Sequence, residues 1–233
     1  ESPTGTLDES AAEIPALDPV SKRIFVVNGA DKTVDILDMS NPDKLVKLGA
    51  LELATWGKAA NSVAVKNGVV AVAVENTDKQ APGQAVFFDS DGNFISAVTV
   101  GALPDMIKFS PDGKYVLVAN EGEPNEAFTN DPEGSVSIIP IAGGVEGLSD
   151  ADVRTVDFKF LNDGELPYGM RMSNPGTSSV AQDVEPEYIA VTNDSKTAYV
   201  SLQENNAVAI IDIETATVTR VAGLGFKDHS VHA

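Results

Sequence analysis

Short runs in which apolar and polar residues alternate recur along the whole chain. Such alternation places the apolar side chains on one face of an extended strand, so it predicts β-strands. Turn-forming segments separate the runs, for example SPDG at 110–113 and NDS at 193–195, where Pro, Gly, Asn, Asp and Ser favour tight turns. No segment requires a helix, and the pattern predicts an all-β protein.

The predicted strands are grouped in a unit that occurs four times. Each unit has a short apolar strand, a turn, a second apolar strand and a third strand, and the aligned units begin at Glu13, Ser62, Asp105 and Glu187. The first two steps match the period of about 40–50 residues that is typical of propeller blades. The third step is longer by an insertion at 161–185.

A repeat of this length in an all-β chain indicates a β-propeller built from four-stranded blades. A β-sandwich would explain the alternation but not the recurring unit. We therefore predict four blades, at about 12–53, 61–100, 104–160 and 186–225 by the repeat period. Four blades of this type rarely close a ring, so we expect a larger ring of about seven blades and an incomplete C-terminus. The remaining blades would come from a further chain segment or a second chain.

The charge balance and composition exclude several function classes. Asp and Glu number 35 against 16 Lys and Arg, and the net charge of −19 opposes binding to nucleic acids and anionic membranes. No apolar run reaches the roughly 18 residues needed to insert into a bilayer. The chain has no Cys, which excludes disulfides and thiol nucleophiles. Without a nucleophile elbow, P-loop or Rossmann motif, side-chain nucleophilic catalysis is unsupported.

One segment, ANEGEPNEAFTNDPEGS at 119–135, combines many carboxylates and amides without any Lys or Arg. Oxygen ligands of this kind suit a hard cation such as calcium. The alternative is a solvated acidic loop. The spacing is not that of an EF-hand, because the glycine at the sixth loop position and the closing glutamate of that motif are missing.

Propeller topology predicts that other acidic residues lie beside this loop. In a blade, the loop between strands two and three lies on the same face as the linker that enters strand one. We therefore predict a calcium site formed by oxygen ligands at these strand entries and in this loop. The candidate ligands are Glu121, Glu123, Asn125, Asp131, Glu133, Glu13, Asp105, Glu185 and Glu187. For Glu13, Asp105 and Glu187, the alternative role is to accept hydrogen bonds from neighbouring blades.

Two further groups of residues are candidates for ligand binding. His229 and His232 are spaced by three residues and could contribute to a metal site, or belong to a polar linker. Trp56, Tyr168 and Phe128 could stack on a glycan or another small molecule, or fill small cores of their own loops.

Several segments resemble the choice-of-anchor I family of secreted bacterial proteins, over nearly the whole chain. The resemblance is carried by DESAAEI, NSVAVKNGVVAVAVE, VFFDSDGNFISAVTVGALPDM, VANEGEPN, DPEGSVSII, DVEPEYIAV, LQENNAVAIIDI and GLGFKDHS. This family is similar to the mesenchyme-specific cell-surface glycoproteins of echinoderm biomineralisation and is often labelled alkaline phosphatase-like or phytase-esterase-like. The resemblance implies export and an extracellular, cell-surface or periplasmic location.

Two functions are compatible with these observations. The first is an extracellular, calcium-supported propeller module for binding or cell-surface scaffolding. The second is a metal-dependent phosphoesterase, in which clustered metal ions would neutralise phosphate and activate water. Phosphate sites usually also contain Lys or Arg, and Arg171 and Lys227 are the candidates near the predicted face. This shortage of cationic side chains favours binding over catalysis.

Overall fold

The computed structural model describes residues 12–227 and residue 230. Within this part of the chain, sixteen strands form four sheets, and each sheet contains four antiparallel strands in sequence order. This arrangement confirms the predicted all-β class and the four blades of a β-propeller.

The first two blades follow each other closely along the chain. Blade one consists of β1 (Ala12–Asp18), β2 (Arg23–Asn28), β3 (Thr33–Asp38) and β4 (Val46–Leu51). Blade two consists of β5 (Ala59–Lys66), β6 (Val69–Glu75), β7 (Pro82–Asp89) and β8 (Phe94–Ala102).

An insertion separates the last two blades. Blade three consists of β9 (Pro104–Phe109), β10 (Tyr115–Asn120), β11 (Ser135–Pro140) and β12 (Arg154–Val156). Blade four consists of β13 (Pro186–Val191), β14 (Thr197–Leu202), β15 (Ala207–Asp212) and β16 (Thr217–Gly223).

The turn between the first two strands has a left-handed residue in every blade. These residues are Lys22, Gly68, Gly113 and Ser195, with φ between 55° and 80°. A positive φ reverses the chain within a few residues, and glycine adopts it at low cost. All four turns thus contain a left-handed residue, although the turn of blade two, where Lys66 pairs with Val69, is shorter than that of blade three, where Phe109 pairs with Val116.

The core consists of three apolar layers, one between each pair of consecutive blades. Phe25 of blade one packs with Val72 of blade two in the first layer. Phe87 of blade two packs with Val118 of blade three in the second. In the third layer, residues of blade three pack against blade four. The first strands of consecutive blades also contact each other, so they line the propeller axis.

The insertion between blades three and four is largely irregular. After the short strand β12, a 3-10 helix covers Lys159–Asp163, and a four-residue helix, α1, covers Val180–Asp183. The fourth strand of blade three is short, because Phe158 and Leu161 turn into the apolar layer between blades three and four. In the described part of the chain, no helix is long and apolar enough to cross a membrane.

Candidate acidic site

The acidic loop, residues 121–134, leaves blade three through a narrow neck. The backbone amide of Glu121 donates to the Leu103 carbonyl at 2.9 Å, which ties the loop to the linker between blades two and three. Gly122 has φ +72°, and a Cβ on Gly134 would lie 1.8 Å from the Val184 carbonyl oxygen. Glycine is therefore required at both ends of the loop, where two chain segments pass in close contact.

Three acidic side chains of the strand entries lie at the same end of the axis. Asp105 belongs to β9, Glu187 belongs to β13, and Glu185 immediately precedes β13. The amide of Glu185 donates to Oδ1 of Asn205 at 3.3 Å. This hydrogen bond joins the entry of blade four to the loop between β14 and β15. The acidic loop and the acidic residues at the strand entries therefore lie close together, as the propeller topology predicts.

Glu121 is the most perturbed carboxyl group of this end. Burial, and after it the charges of Asp105, Glu123, Glu187 and Glu185, raise its pKa from the ordinary value of 4.5 to about 8. Both effects disfavour the ionised form. We call these five residues the acidic cluster.

The pKa values of Glu185, Glu187 and Asp105 are raised for the same reasons. Burial, followed by the charges of Glu123 and Glu204, raises the pKa of Glu185 to about 7. The pKa values of Glu187 and Asp105 are also raised, again mainly by burial and then by neighbouring carboxylates. Ionising all of these carboxyl groups at once is therefore unfavourable in the absence of a bound cation.

The carboxylates of Asp105, Glu121, Glu185 and Glu187 have no hydrogen-bond or ion-pair partner among the described residues. Glu185 as a whole residue is only 8% exposed, and burial is the main cause of its raised pKa. No group of three or more acidic or histidine side chains in the described chain is positioned to hold a metal ion as it stands. A cation would therefore have to draw these side chains inward.

Lys79 is a cationic member of this site that sequence reasoning missed. It forms an ion pair with Glu123, while Gln80 donates to the Glu123 carbonyl at 3.2 Å. Lys79 and Gln80 belong to the loop between β6 and β7, the second and third strands of blade two. In a propeller blade, this loop lies on the same face as the linker that enters the first strand, which is the face of the acidic cluster. The same rule could have identified Lys79.

Asn125 lies within the acidic loop but stabilises the loop itself. Its Oδ1 accepts hydrogen bonds from the amides of Thr129 at 2.9 Å and Asn130 at 3.3 Å. Its side-chain amide donates to the Thr129 hydroxyl at 3.0 Å. These bonds close the tip of the loop, and they occupy the oxygen that a cation would need.

The far side of the acidic loop is bound to the insertion. The Ser178 hydroxyl donates to Asp131, and Gln182 donates to the Asp131 carbonyl at 2.7 Å. Glu133 forms an ion pair of 3.1 Å with Lys159. Asp131 and Glu133 thus contact the insertion rather than the acidic cluster.

A buried pair, Asp183 and Asn205, anchors the end of the insertion. Asp183 is 1% exposed and accepts hydrogen bonds from the amides of Ser173 at 2.9 Å and Asn174 at 2.6 Å. Asn205 donates to the same carboxylate at 2.7 Å. The pair fixes the segment that carries Glu185 into the site.

Glu13 lies in a groove beside the acidic cluster. The groove has a volume of about 430 Å³ and runs along the first strands, and Glu13, Asp105, Lys108 and Tyr188 contribute its polar groups. Glu13 and Asp105 therefore face the same groove from different blades.

The candidate aromatic residues have different environments. Trp56 stacks on Phe94 with ring centroids 4.8 Å apart, and Tyr168 packs edge-on against Phe226. Phe128, which is 40% exposed, lines a cleft of about 430 Å³ next to Lys79 and Glu123. His229 and His232 lie outside the described residues.

Comparison with known proteins identifies a family and a fold. The model of the choice-of-anchor I domain matches residues 13–233. No curated protein matches the chain.

Solved structures similar to the chain include other propellers. Hydrazine synthase of Kuenenia stuttgartiensis is 19% identical with a TM-score of 0.64, over 94% of this chain and 51% of that chain. A functionally unknown protein from Desulfotomaculum acetoxidans is 15% identical with a TM-score of 0.58, and the match covers 94% of this chain and 57% of that protein. The Cps50 (Swd1) β-propeller domain of Myceliophteria thermophila is 10% identical with a TM-score of 0.54, over 86% and 55%. At these identities the likeness concerns the fold alone, and the chain spans little more than half of each structure.

Proposed function

The chain belongs to the choice-of-anchor I family, and on that premise we propose that it is an extracellular binding or cell-surface scaffolding module whose acidic cluster binds calcium. The family and the propeller fold support the general class of a surface or secreted binding module. The identity of the ion as calcium and its binding by the acidic cluster are the parts of the proposal that go beyond this general class.

The observation that carries the proposal is the set of carboxylates without partners at one end of the axis. Four of the five side chains in the acidic cluster have no hydrogen bond or ion pair among the described residues, and burial together with mutual repulsion raises their pKa values. A bound divalent cation would offset both costs. Lys79 neutralises only Glu123.

Calcium fits this arrangement better than magnesium. Calcium accepts six to eight oxygen ligands in flexible geometry at 2.3–2.6 Å, whereas magnesium requires a near-ideal octahedron. The acidic cluster supplies carboxylates from strands β9 and β13 and from loops, and they are not arranged in advance as a cage. We assign ligand roles to Glu121, Glu185, Glu187, Asp105 and Glu123, whereas Asn125, Asp131 and Glu133 maintain the loop.

The proposal is tested by calcium titration of the purified chain. A ligand that binds only the folded state stabilises it by mass action, by about 2.7 kcal/mol at a hundredfold excess over Kd. We expect millimolar calcium to raise the Tm and isothermal titration calorimetry to give one saturable binding event. Magnesium at the same concentration should have a smaller effect.

Matched variants separate site binding from general charge effects. Glu121→Gln and Glu185→Gln should abolish the calcium-dependent rise in Tm. Glu126→Gln removes an exposed carboxylate from the same loop and should leave the rise unchanged. Equal losses in all three variants, or no calcium effect on the parent protein, would exclude a specific site.

Phosphoester hydrolysis is the competing function. Lys79 adds one cation near the acidic cluster but is already paired with Glu123, and such a site would need several bound metal ions before it could attract phosphate. Release of phosphate from a generic phosphomonoester should therefore be absent with calcium. If the protein releases phosphate in a calcium-dependent way and Glu121→Gln abolishes this activity, phosphoester hydrolysis is the function and the scaffolding proposal is wrong.

The cleft next to the acidic cluster is our proposed position for a small polar ligand such as a glycan. Its volume of about 430 Å³ is within the range of ligand pockets. Phe128 offers an exposed ring, and Asn125 and Glu126 offer polar groups along the same wall. Aromatic stacking combined with amide and carboxylate hydrogen bonds suits a sugar.

A further inference from the structure

The backbone amide of Ile189 donates its hydrogen bond to a sulfur atom instead of an oxygen. Ile189 belongs to β13, the innermost strand of blade four, and Met106 belongs to β9, the innermost strand of blade three. The amide nitrogen lies 2.9 Å from Sδ of Met106. A thioether sulfur is only a weak acceptor, and the pairing of β13 explains why this amide uses one.

Strand pairing directs the Ile189 amide away from its own blade. In an antiparallel pair of strands, hydrogen-bonded and non-hydrogen-bonded residue pairs alternate. The Thr192 amide donates to the Thr197 carbonyl at 2.9 Å. Counting back along β13 from this hydrogen-bonded pair places Ile189 in a non-hydrogen-bonded pair with Val200. The Ile189 amide therefore faces the free edge of β13, which lines the propeller axis.

Blade one has the same strand irregularity without the free amide. The pairing register shifts between Ala12 and Pro15 in β1, and it shifts between Pro186 and Ile189 in β13. Pro15 thus stands where Ile189 stands in blade four. Proline has no amide hydrogen, so blade one needs no acceptor at this position, whereas blade four uses the sulfur of Met106.

The Met106 side chain is only partly buried. It packs against the apolar layer between blades three and four, and it also lines the groove of about 430 Å³ that runs along the first strands. This groove is much larger than the roughly 30 Å³ that one water molecule occupies in the liquid. A molecule as small as hydrogen peroxide therefore has room to reach the side chain from the groove.

We propose that Met106 is a site of oxidation by hydroperoxides, and that its sulfoxide releases the Ile189 amide and loosens the contact between β9 and β13. The sulfur lone pair attacks a peroxide oxygen, and the O–O bond breaks as the S–O bond forms. The second oxygen takes up the proton and leaves as water or an alcohol. Sulfur loses two electrons and the peroxide gains them. Methionine sulfoxide can be reduced again by reductases, so the contact is a redox-sensitive link between two blades.

The sulfoxide cannot keep the present contact. The sulfur and the Ile189 nitrogen are already in contact at 2.9 Å, so an oxygen atom fits between them only if the side chain moves. An oxygen on any other side makes the side chain polar where it packs against the apolar layer, which is unfavourable. In both cases the Met106 side chain leaves its position, and the Ile189 amide loses its sulfur acceptor.

The acidic cluster adjoins this contact on both strands. Asp105 directly precedes Met106, and Glu187 lies two residues before Ile189. The contact therefore helps to hold Asp105 and Glu187 relative to each other. Oxidation of Met106 should weaken calcium binding roughly tenfold, as loss of a group that positions metal ligands does. This consequence rests on the proposed calcium function, whereas the oxidation and the release of the amide do not.

The first measurement follows oxidation of the folded protein by peptide mass. The four methionines lie on four different tryptic peptides, because Lys or Arg residues separate them. After treatment with dilute hydrogen peroxide, the peptide 80–108, which carries Met106, should gain one oxygen atom well before the peptide 160–171, which carries Met170. Met170 is 5% exposed and serves as the buried reference.

The second measurement follows the Ile189 amide by hydrogen exchange detected with NMR. Oxidation should speed its exchange roughly tenfold, as expected for the loss of one hydrogen bond. Met106→Leu keeps the volume of the side chain but removes the sulfur, and it should show the faster exchange before any peroxide is added. Peroxide should then have no further effect on this amide.

Met172→Leu is the matched control. Met172 is half-buried like Met106, but it lies in the insertion. This variant should show the exchange of the parent at Ile189, and the same response to peroxide. Calorimetry then compares calcium affinity, which should fall in the oxidised parent and in Met106→Leu and stay unchanged in Met172→Leu. Circular dichroism confirms that each variant is folded.

Two results would overturn the proposal. If Met106 is oxidised only after the protein unfolds, the groove gives peroxide no access to it. If Met106 is oxidised and the Ile189 amide exchanges as before, the sulfur is not the group that protects this amide. Unchanged calcium affinity after oxidation would overturn the coupling to the acidic cluster alone. A parent protein that binds no calcium would contradict the proposed function, and the peptide and exchange measurements would still decide the inference about Met106.

Discussion

Asn205 donates a hydrogen bond of 2.7 Å to the carboxylate of Asp183, and both side chains are almost completely buried. Asn205 also accepts from the amide of Glu185 and donates to the Asp183 carbonyl at 3.0 Å. One amide side chain thus connects the β14–β15 loop, the end of the insertion and a member of the acidic cluster. The site depends on this pair although neither residue belongs to the cluster.

Asp183→Ala should destabilise the protein and release the insertion. The change removes three hydrogen bonds to a buried carboxylate and leaves their donors without partners, at a cost of about 2–4 kcal/mol in the free energy of unfolding. Chemical denaturation measures this loss. Limited proteolysis should show faster cleavage at 161–182. Glu165→Ala, an exposed position in the same insertion, should change neither result.

The stability of the calcium-free protein should fall as pH rises. Because the pKa of Glu121 is raised from 4.5 to about 8 in the folded state, the folded protein binds more protons than the unfolded chain between these values. The free energy of unfolding therefore decreases as pH increases through this window. We expect a loss of about 1–2 kcal/mol, after allowing for solvent screening, when thermal melts at pH 5 and pH 8 are compared.

Two changes should reduce this pH dependence. Glu121→Gln removes the titrating group, so it should flatten the profile and raise the Tm at pH 8. Calcium should do the same at pH 8 and have little effect at pH 5, because protons and the cation compete for the same carboxylates. A steeper profile in Glu121→Gln would contradict the assignment.

Lys79→Met should strengthen calcium binding. Lys79 is the ion-pair partner of Glu123, and its removal leaves that carboxylate available and makes the acidic cluster more negative. A gain of roughly three- to tenfold in affinity is expected for one charge near the protein surface. Calorimetry measures it directly. Lys159→Met, which removes the partner of Glu133 outside the cluster, serves as the control and should leave the affinity unchanged.

Gly134→Ala should disrupt the neck of the acidic loop. A Cβ at this position would lie 1.8 Å from the Val184 carbonyl oxygen, so the backbone must shift, at a cost of about 3 kcal/mol or more. Gly143→Ala, where the same atom meets open space, should change stability by less than about 0.5 kcal/mol. A similar midpoint of urea denaturation for both variants would refute the close approach.

The fold was predictable because its causes are local and repeated. Alternation along segments such as Val69–Glu75 and Tyr115–Asn120 determines the strands, and the repeat period determines how the strands are grouped. The topology rule also placed Asp105 and Glu187 beside the acidic loop, because it depends only on strand order.

The site was predictable only in part, because side-chain partners depend on reach and packing. The sequence does not show that Asn125 uses its oxygen within the loop, or that Lys159 reaches Glu133 from beyond the end of blade three. Lys79 lies more than forty positions from Glu123 along the chain. Contacts of this kind depend on loop conformation and side-chain reach, which the pattern of apolar residues leaves undetermined.

The acidic loop is fixed at both sides, and at its tip two side chains point away from these contacts. Glu123 connects it to blade two and Asp131 connects it to the insertion, whereas Glu126 and Ala127 are exposed. A fluorophore attached to the side chain at position 127 would therefore stand near the acidic cluster and leave the hydrogen bonds of Asn125 in place. The loop offers a natural attachment point for a reporter of ligand binding on this face.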